Sequence, residues 1–369
     1  MAVTSARLLI LGAGTAAAEN LLRSLRHGDP SLAVFGGHDD RFVLKHSGAD
    51  ARYLLPAPRA PGFIRAVRGL TRDCGIDLVI PTSDLHVQVL SRGRRQLAGK
   101  VFLPGPGMVD LCRDKYALIS VLRRRGLPAP ETHRVVGRKS IDRIFARLGG
   151  AGPLFCRPRT GTCSRGGAAV SSPEQAWSWI RIWETMQGVP AASFTLAEYL
   201  PGRQIACQSV WRHGRMVLAN TFERVSYFGV DNIPSGVTSL ASLAKTVVEP
   251  GVVALCRQAI GAASPRASGA FSVDVKEDAQ GRPHVTEINA GRLFMGMTAF
   301  DAILKHNMTA TWVRLALGQD VDLTEEYDTA DGYYMVRDLD MPPGIFHSEE
   351  LFVGIEEPRA QRAPADAGP

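Results

Sequence analysis

Three oxygen-bearing side chains, Asp274, Glu287 and Asn289, carry the most specific chemistry in this sequence. They lie within FSVDVKEDAQGRPHVTEINAGR, residues 271–292. Apolar and polar residues alternate from Phe271 to Lys276 and again from His284 to Asn289, and Ala279-Gln280-Gly281-Arg282 supplies turn formers. The pattern predicts an antiparallel hairpin. A loop centred between Gln280 and Gly281 sets Asp274 opposite Glu287 and Ser272 opposite Asn289. Period-two alternation then puts Asp274, Glu287 and Asn289 on one face. Facing carboxylates repel unless something neutralises them. Hard oxygen ligands suit Mg²⁺, which fills its remaining positions with water and nucleotide phosphates. A solvent-exposed pair offset by Lys276 and Arg282 satisfies the same spacing, so both readings stand.

A second candidate is the stretch PRTGTCSRGG, Pro158 to Gly167, between two strand-like runs. Gly161 and Gly166 let backbone N–H groups approach phosphate oxygens, Thr160, Thr162 and Ser164 add hydroxyls, and Arg159 and Arg165 add charge. A plain glycine-rich turn has the same composition, and the GK[ST] of a P-loop is missing. Cys163 inside it is either a redox-sensitive thiol or a small filler. Near the N-terminus, GAGTAA (residues 12–17) fits the G-x-G-x-x-A dinucleotide fingerprint, with Asp39 as a ribose acid. Tight strand-to-helix packing needs the same glycines.

These candidates require elements to hold them. Leu8–Leu11, Leu32–Phe35 and Leu78–Pro81 read as strands separated by helical segments, which predicts a parallel sheet with helices on its faces. Pro81-Thr82-Ser83-Asp84 follows a strand's carboxyl end, where such sheets bind ligands, although Asp84 is equally placed to cap the next helix. Asp114-Lys115 opens a helix that ends at Gly126. Strands are expected at 153–157, 168–171, 193–200, 204–211 and 216–221, and helices at 252–262 and 302–317. Residues 222–239 are rich in turn formers, residues 358–369 in Pro and Ala. The latter composition favours disorder.

The chain has 369 residues, 45% hydrophobic and 21% charged, which suits a soluble protein of two or three domains. No apolar run reaches membrane-spanning length and no signal-peptide pattern opens the sequence. Six scattered cysteines without a CxxC pair favour free thiols in the cytoplasm. A net charge of +7 is compatible with an anionic ligand. The basic residues are dispersed without interleaved aromatics, which argues against nucleic acid as a partner.

Taken in order, DKYALISVLRRRGLPAP, PLFCRPRTGTCSRGGAAV, LAEYLPGRQIA and FSVDVKEDAQGRPHVTEINAGR resemble the successive signatures of the ATP-grasp superfamily, in the style of its carbamoyl-phosphate-synthase-like carboxylate–amine ligases. The resemblance spans residues 7 to about 318. It implies an α/β and α+β architecture, an ATP-grasp fold preceded by a Rossmann-like domain. The layout it implies is an N-terminal domain over 1–112, a central subdomain over 113–190, a C-terminal subdomain over 191–320 and an extension over 321–369.

The resemblance also implies roles. Lys115 and Arg157 would reach the nucleotide phosphates together with Thr160, Gly161, Ser164 and Gly166 of the loop. Glu198, Tyr199 and Leu200 would form the hinge strand that meets adenine, with Gln204 where relatives often carry a ribose-binding Glu. Asp274, Glu287 and Asn289 would hold Mg²⁺ or Mn²⁺. Arg292 would hold the transferring phosphoryl or the substrate carboxylate, displaced by one position because Ala290-Gly291 replaces the commoner Pro. Arg224, Tyr227, Ser235, Gly236 and Thr238 would line the acceptor pocket. The implied enzyme activates a small carboxylate, amino acid or bicarbonate among them, as an acyl phosphate with ATP and joins it to an amine, releasing ADP and phosphate. Homodimers are common among such ligases. Two other readings remain at this stage: a non-catalytic nucleotide-binding regulator, suggested by Gln204, and a nicotinamide-dependent oxidoreductase using Gly12, Gly14 and Asp39.

Overall fold

The computed structural model describes residues 6–149, 152–162, 164–293, 296–338 and 344–350. Its first unit alternates strand and helix: β1 (Arg7–Leu11), α1 (Ala16–Gly28), β2 (Ala33–His38), α2 (Arg41–Lys45), β3 (Ala51–Leu54), α3 (Phe63–Asp73), β4 (Leu78–Ile80) and α4 (Asp84–Gly93). The strands form a parallel sheet in the order β3-β2-β1-β4. Leu8 to Leu11 are almost wholly buried, as a strand covered on both faces demands. The sequence reading missed β3, whose alternating half-buried and exposed residues belong to an edge strand.

The GAGTAA glycines serve packing. Gly12 and Gly14 have φ of +80° and +87°, and a methyl on Gly14 would lie 1.9 Å from the Val43 carbonyl oxygen. The Gly14 N–H donates to Glu19 Oε1 at 3.0 Å, and Glu19 Oε2 accepts from Gly48 N at 3.0 Å. The protein's own carboxylate thus stands at the start of α1, where a bound pyrophosphate would have to sit. Asp39 pairs with its neighbour His38 at 3.2 Å. Nothing in this arrangement supports the nicotinamide reading.

Two helices, α5 (Pro106–Arg113) and α6 (Lys115–Arg124), lead to a small antiparallel sheet. Its elements are β5 (Thr132–Arg134), α7 (Arg138–Leu148), β6 (Leu154–Pro158), β7 (Ala168–Val170), α8 (Pro173–Gln187) and β8 (Phe194–Glu198), with strand order β5-β8-β6-β7. Ile141 and Ile144 of α7 and Ile180 of α8 pack on Leu154, Phe194 and Leu196.

The remaining elements are β9 (Gln204–Arg212), β10 (Arg215–Tyr227), β11 (Ala241–Thr246), α9 (Pro250–Ala263), β12 (Gly269–Glu277), β13 (Pro283–Ala290), α10 (Met308–Ala316), β14 (Tyr333–Val336) and β15 (Gly344–His347). The strands form one large sheet, β13-β12-β9-β10-β11-β14-β15. One face packs on α6 and α9, where Leu118, Ile119 and Leu122 meet Phe271, Val273 and Val275. The opposite face carries Val210, Leu218 and Ala270, which join Trp312 of α10 and Leu21 and Leu25 of α1 in a second core. The first unit is therefore anchored directly onto the large sheet.

Several expectations need correction. β10 continues to Tyr227, so residues 222–227 of the stretch read as irregular are strand, and its partner β11 was not foreseen. The helix expected from Ala302 begins at Met308. Residues Met297–Ala302 form a 3₁₀ turn, and Asn307 caps α10 by accepting from Ala310 N at 2.7 Å. The extension after residue 320 contributes β14 and β15 to the sheet. Residues 358–369 and Cys163 lie outside the described residues. The other five cysteines are free thiols, and no helix among the described residues is long and apolar enough to cross a membrane.

Candidate active site

The hairpin of β12 and β13 sets Asp274 opposite Glu287 and Ser272 opposite Asn289, as the alternation predicts, but by a different route. Near the turn the strands pair as Glu277 with Pro283, Lys276 with His284 and Val275 with Val285, which centres the loop on Gln280. Asp278 fixes that loop by accepting from Gln280 N and Arg282 N, both at 2.9 Å. A bulge at Thr286 then shifts the register by one and restores the expected pairing from Asp274 onward. Thr286 Oγ1 donates to the Asp274 carbonyl at 3.1 Å, and the Thr286 carbonyl accepts from Arg157 at 3.0 Å.

The cations that offset the acids are not the hairpin's own. Arg282 pairs with Asp278, and Lys276 Nζ lies 5.5 Å from the centre of the Tyr199 ring. Arg224, buried on β10, pairs with Asp274 from across β9. Lys115 Nζ stands 3.3 Å from Glu287 Oε1 and donates to the Gly161 carbonyl at 2.8 Å. Asn289 Oδ1 accepts from Arg292 at 2.7 Å, while its amide nitrogen faces Asp274 Oδ2 at 3.3 Å.

Lys115 is held by the start of α6. Asp114 caps the helix by accepting from Ala117 N at 3.1 Å and binds Arg159 with both carboxylate oxygens. Burial opposes the Asp114 carboxylate, yet Arg159 and the helix N–H groups keep its pKa below the usual range. The glycine loop is thereby moored to α6. Its far end is moored to α8, because Trp179 Nε1 donates to the Gly166 carbonyl at 3.0 Å. Gly161 and Ser164 adopt positive φ of 134° and 55°. Burial pulls the Arg157 pKa down, with Glu287 and Asp274 opposing. Its Nε is shielded from solvent and has no hydrogen-bond partner.

Asp84 is the residue that local reading misplaced. Ser83 caps α4, accepting from His86 N at 3.2 Å, and the freed Asp84 carboxylate pairs with Arg292 of the large sheet's end. Burial disfavours the charge on Arg292, but Asp84 with Glu287 and Asp274 outweighs it and raises the pKa. Arg113, at the end of α5, escaped the sequence reading altogether. It donates to the Asp84 carbonyl at 3.2 Å. Asp84, Arg113, Lys115, Gly161, Glu287 and Asn289 line a cavity of about 40 Å³, room for an ion or a few waters.

The other expected site residues lie farther out on the same sheets. Glu198 accepts from Glu131 N at 2.6 Å, which commits its carboxylate to β5 and leaves Tyr199 and Leu200 at the strand's exit. Gln204 accepts from the Tyr227 hydroxyl at 2.6 Å, and burial pushes that hydroxyl's pKa up to about 12. Arg224 and Tyr227, expected at an acceptor pocket, pair with Asp274 and Gln204 respectively. Ser235, Gly236 and Thr238 sit in the loop between β10 and β11, where Ser235 Oγ accepts from Val237 N at 3.4 Å. A methyl on Gly167 would lie 3.5 Å from Val237 Cγ1, so this loop approaches the glycine loop. Thr160 is exposed in the glycine loop.

Lys115–Glu287 lines the cavity, Asp84 of the Arg292–Asp84 pair borders it, and Arg159–Asp114 and Arg224–Asp274 stand behind its lining residues Lys115 and Asn289. Among the described residues the hydrogen bonds of Arg157 and Arg113 go to backbone carbonyls, and neither forms an ion pair. The arrangement is built for anions.

No family model matches the chain. Solved structures do. An L-amino acid ligase from Bacillus licheniformis superposes with a TM-score of 0.67 at 14% identity, covering 90% of this chain and 79% of that one. Biotin carboxylase from Campylobacter jejuni gives 0.68 at 13%, covering 89% and 74%. N5-carboxyaminoimidazole synthetase from Staphylococcus aureus gives 0.65 at 14%, covering 90% and 82%. With its parallel sheet followed by two antiparallel sheets that enclose a glycine loop, the chain has the ATP-grasp fold.

Proposed function

We propose that this protein is an ATP-dependent ligase that activates a carboxylate and joins it to an amine. The observation that carries the reading is the meeting of the glycine loop, the partnerless Nε of Arg157 and the Asp274–Glu287 pair in one place. The structures it resembles include a synthetase complexed with ADP and a carboxylase domain with MgADP and bicarbonate.

A carboxylate oxygen attacks the γ-phosphorus of ATP, and ADP departs with the electrons of the broken P–O bond. The amine then attacks the acyl carbon of the resulting acyl phosphate, inorganic phosphate leaves, and the amine's proton passes to solvent. Charge spreads over the transferring phosphoryl oxygens, so fixed cations lower the barrier without a nucleophilic side chain. Lys115 and Arg157 bind those oxygens, with N–H groups of the loop at Gly161, Ser164 and Gly166 beside them. Arg292, oriented by Asp84, stands at the carboxylate side. Glu198, Tyr199, Leu200 and Gln204 take the nucleoside.

The donor set fits a hard divalent ion: two carboxylates and an amide oxygen on one sheet face. Asp274, Glu287 and Asn289 would hold Mg²⁺, which when bound neutralises phosphate charge. Because Glu287 and Asp274 already have cationic partners in Lys115 and Arg224, the ion is favoured here only together with a polyphosphate.

Release of ADP is the test. Purified protein with Mg²⁺–ATP, a mixture of the twenty proteinogenic L-amino acids and separately bicarbonate with amines should release ADP in a carboxylate-dependent manner. Nucleotide binding without turnover under every pairing would favour the regulator reading instead.

A further inference from the structure

We propose that Arg113 is a specificity-determining residue, the cation that receives the carboxylate of the substrate. The inference rests on the ligase reading and adds to it the group that recognises the second anionic ligand.

Around the cavity every other cation is accounted for. Lys115, Arg159, Arg224 and Arg292 each have a carboxylate partner, and Arg157 lies on β6 against the Thr286 carbonyl, within the field of Glu287 and Asp274. Arg113 approaches from α5, lines the cavity on the side of Asp84 and Val87, lies within the field of Asp110, which is paired with Arg92, and forms no ion pair among the described residues. Its single hydrogen bond, from one terminal nitrogen to the Asp84 carbonyl, orients the guanidinium and leaves its other donors available. A planar guanidinium with two parallel donors matches a carboxylate bidentately.

The two cations without an ion pair arrive from different elements, Arg157 from the small sheet and Arg113 from the N-terminal side. A single triphosphate answers Arg157. Arg113 stands apart on the N-terminal side of the cavity, and the second anion that the ligase reaction brings there is the substrate carboxylate. Arg113 also occupies the residue before the Asp114 cap, so the backbone that fixes Lys115 on the phosphates fixes Arg113 on the substrate. Distance between the two ligands is thereby set by three consecutive residues.

The experiment compares wild type with Arg113→Gln and Arg113→Lys. Mg²⁺–ATP affinity is measured by calorimetry, and ADP release is titrated with the L-amino acid mixture and with bicarbonate. The expected result is a rise of about 30-fold or more in the KM for the carboxylate in Arg113→Gln, partial recovery in Arg113→Lys, and an unchanged Kd for Mg²⁺–ATP. A weakened Mg²⁺–ATP Kd with an unaltered carboxylate KM would make Arg113 a phosphate ligand and overturn the proposal. Wild type that binds Mg²⁺–ATP yet responds to no carboxylate overturns it too. Wild type that fails to bind Mg²⁺–ATP sinks the ligase reading itself, which keeps the two failures apart.

Discussion

Arg157, on the small sheet, donates to the carbonyl of Thr286, the bulge residue of the large one, at 3.0 Å. The same bulge that sets Asp274 against Glu287 therefore presents the oxygen that aims Arg157. Replacing Arg157 with Met should leave the fold intact and lower kcat/KM for ATP by about 10²–10³-fold, as for loss of one preorganised charge. Steady-state ADP release at varied ATP checks it; a change under threefold would remove Arg157 from the phosphate site.

The Asp274–Arg224 pair predicts an effect on stability as well as on turnover. Asp274→Asn breaks a buried ion pair with Arg224, which costs about 3–5 kcal/mol. The double change Asp274→Asn with Arg224→Met should restore much of that stability without restoring turnover. Urea unfolding of the four proteins in the cycle supplies the coupling energy.

Charge balance at the cavity predicts how the ion enters. Mg²⁺ alone should give no thermal shift, because Lys115 and Arg224 already neutralise Glu287 and Asp274. Mg²⁺ with a non-hydrolysable ATP analogue should give a clear one, of about 2.7 kcal/mol at a hundredfold excess over Kd. Stabilisation by millimolar Mg²⁺ alone would contradict this account.

A separate acid governs the junction between α1 and α10. Asp301 is fully buried, and its Oδ2 accepts from Ser24 Oγ at 2.5 Å and from Thr309 Oγ1 at 2.7 Å, while Oδ1 has no partner. Burial pushes its pKa up to about 6, against the hydrogen bonds from Ser24 and Thr309. The unfolded carboxyl, near 3.8, loses its proton first as pH rises. The folded state then binds more protons, and stability falls between about pH 4 and pH 6. Asp301→Asn should flatten that decline and raise stability at pH 7 by about 3 kcal/mol. Thermal unfolding followed from pH 4 to pH 7 decides it.

How much of this was legible in the sequence depended on range. The facing acids could be read because strand periodicity is local, although the loop was centred half a residue away from its true place and the bulge made up the difference. Tight packing at glycines 12 and 14 was one of two readings of the fingerprint, but their neighbours could not be read: Gly12 faces Thr82 and His86, and Gly14 faces the Val43 carbonyl. The pairing of Asp84 with Arg292 spans 208 positions, and that of Arg224 with Asp274 spans 50. Neither has a local signal, so Asp84 stayed between a helix cap and a ligand site, and the partner of Arg224 could not be read. Arg113 sat beside a motif and went unnoticed, because its importance lies in what its neighbours already hold.

The glycine loop is tied to α6 by Lys115 and to α8 by Trp179. Since α6 is embedded in the core of the large sheet, the small sheet cannot swing outward while Lys115 grips Gly161. Admitting a nucleotide by such a swing would therefore release the ammonium from the loop while Glu287 remains beside it, and closing would return it. On the proposed reading the same lysine would latch the loop and bind phosphate, so the geometry needed for chemistry would exist only when the door is shut.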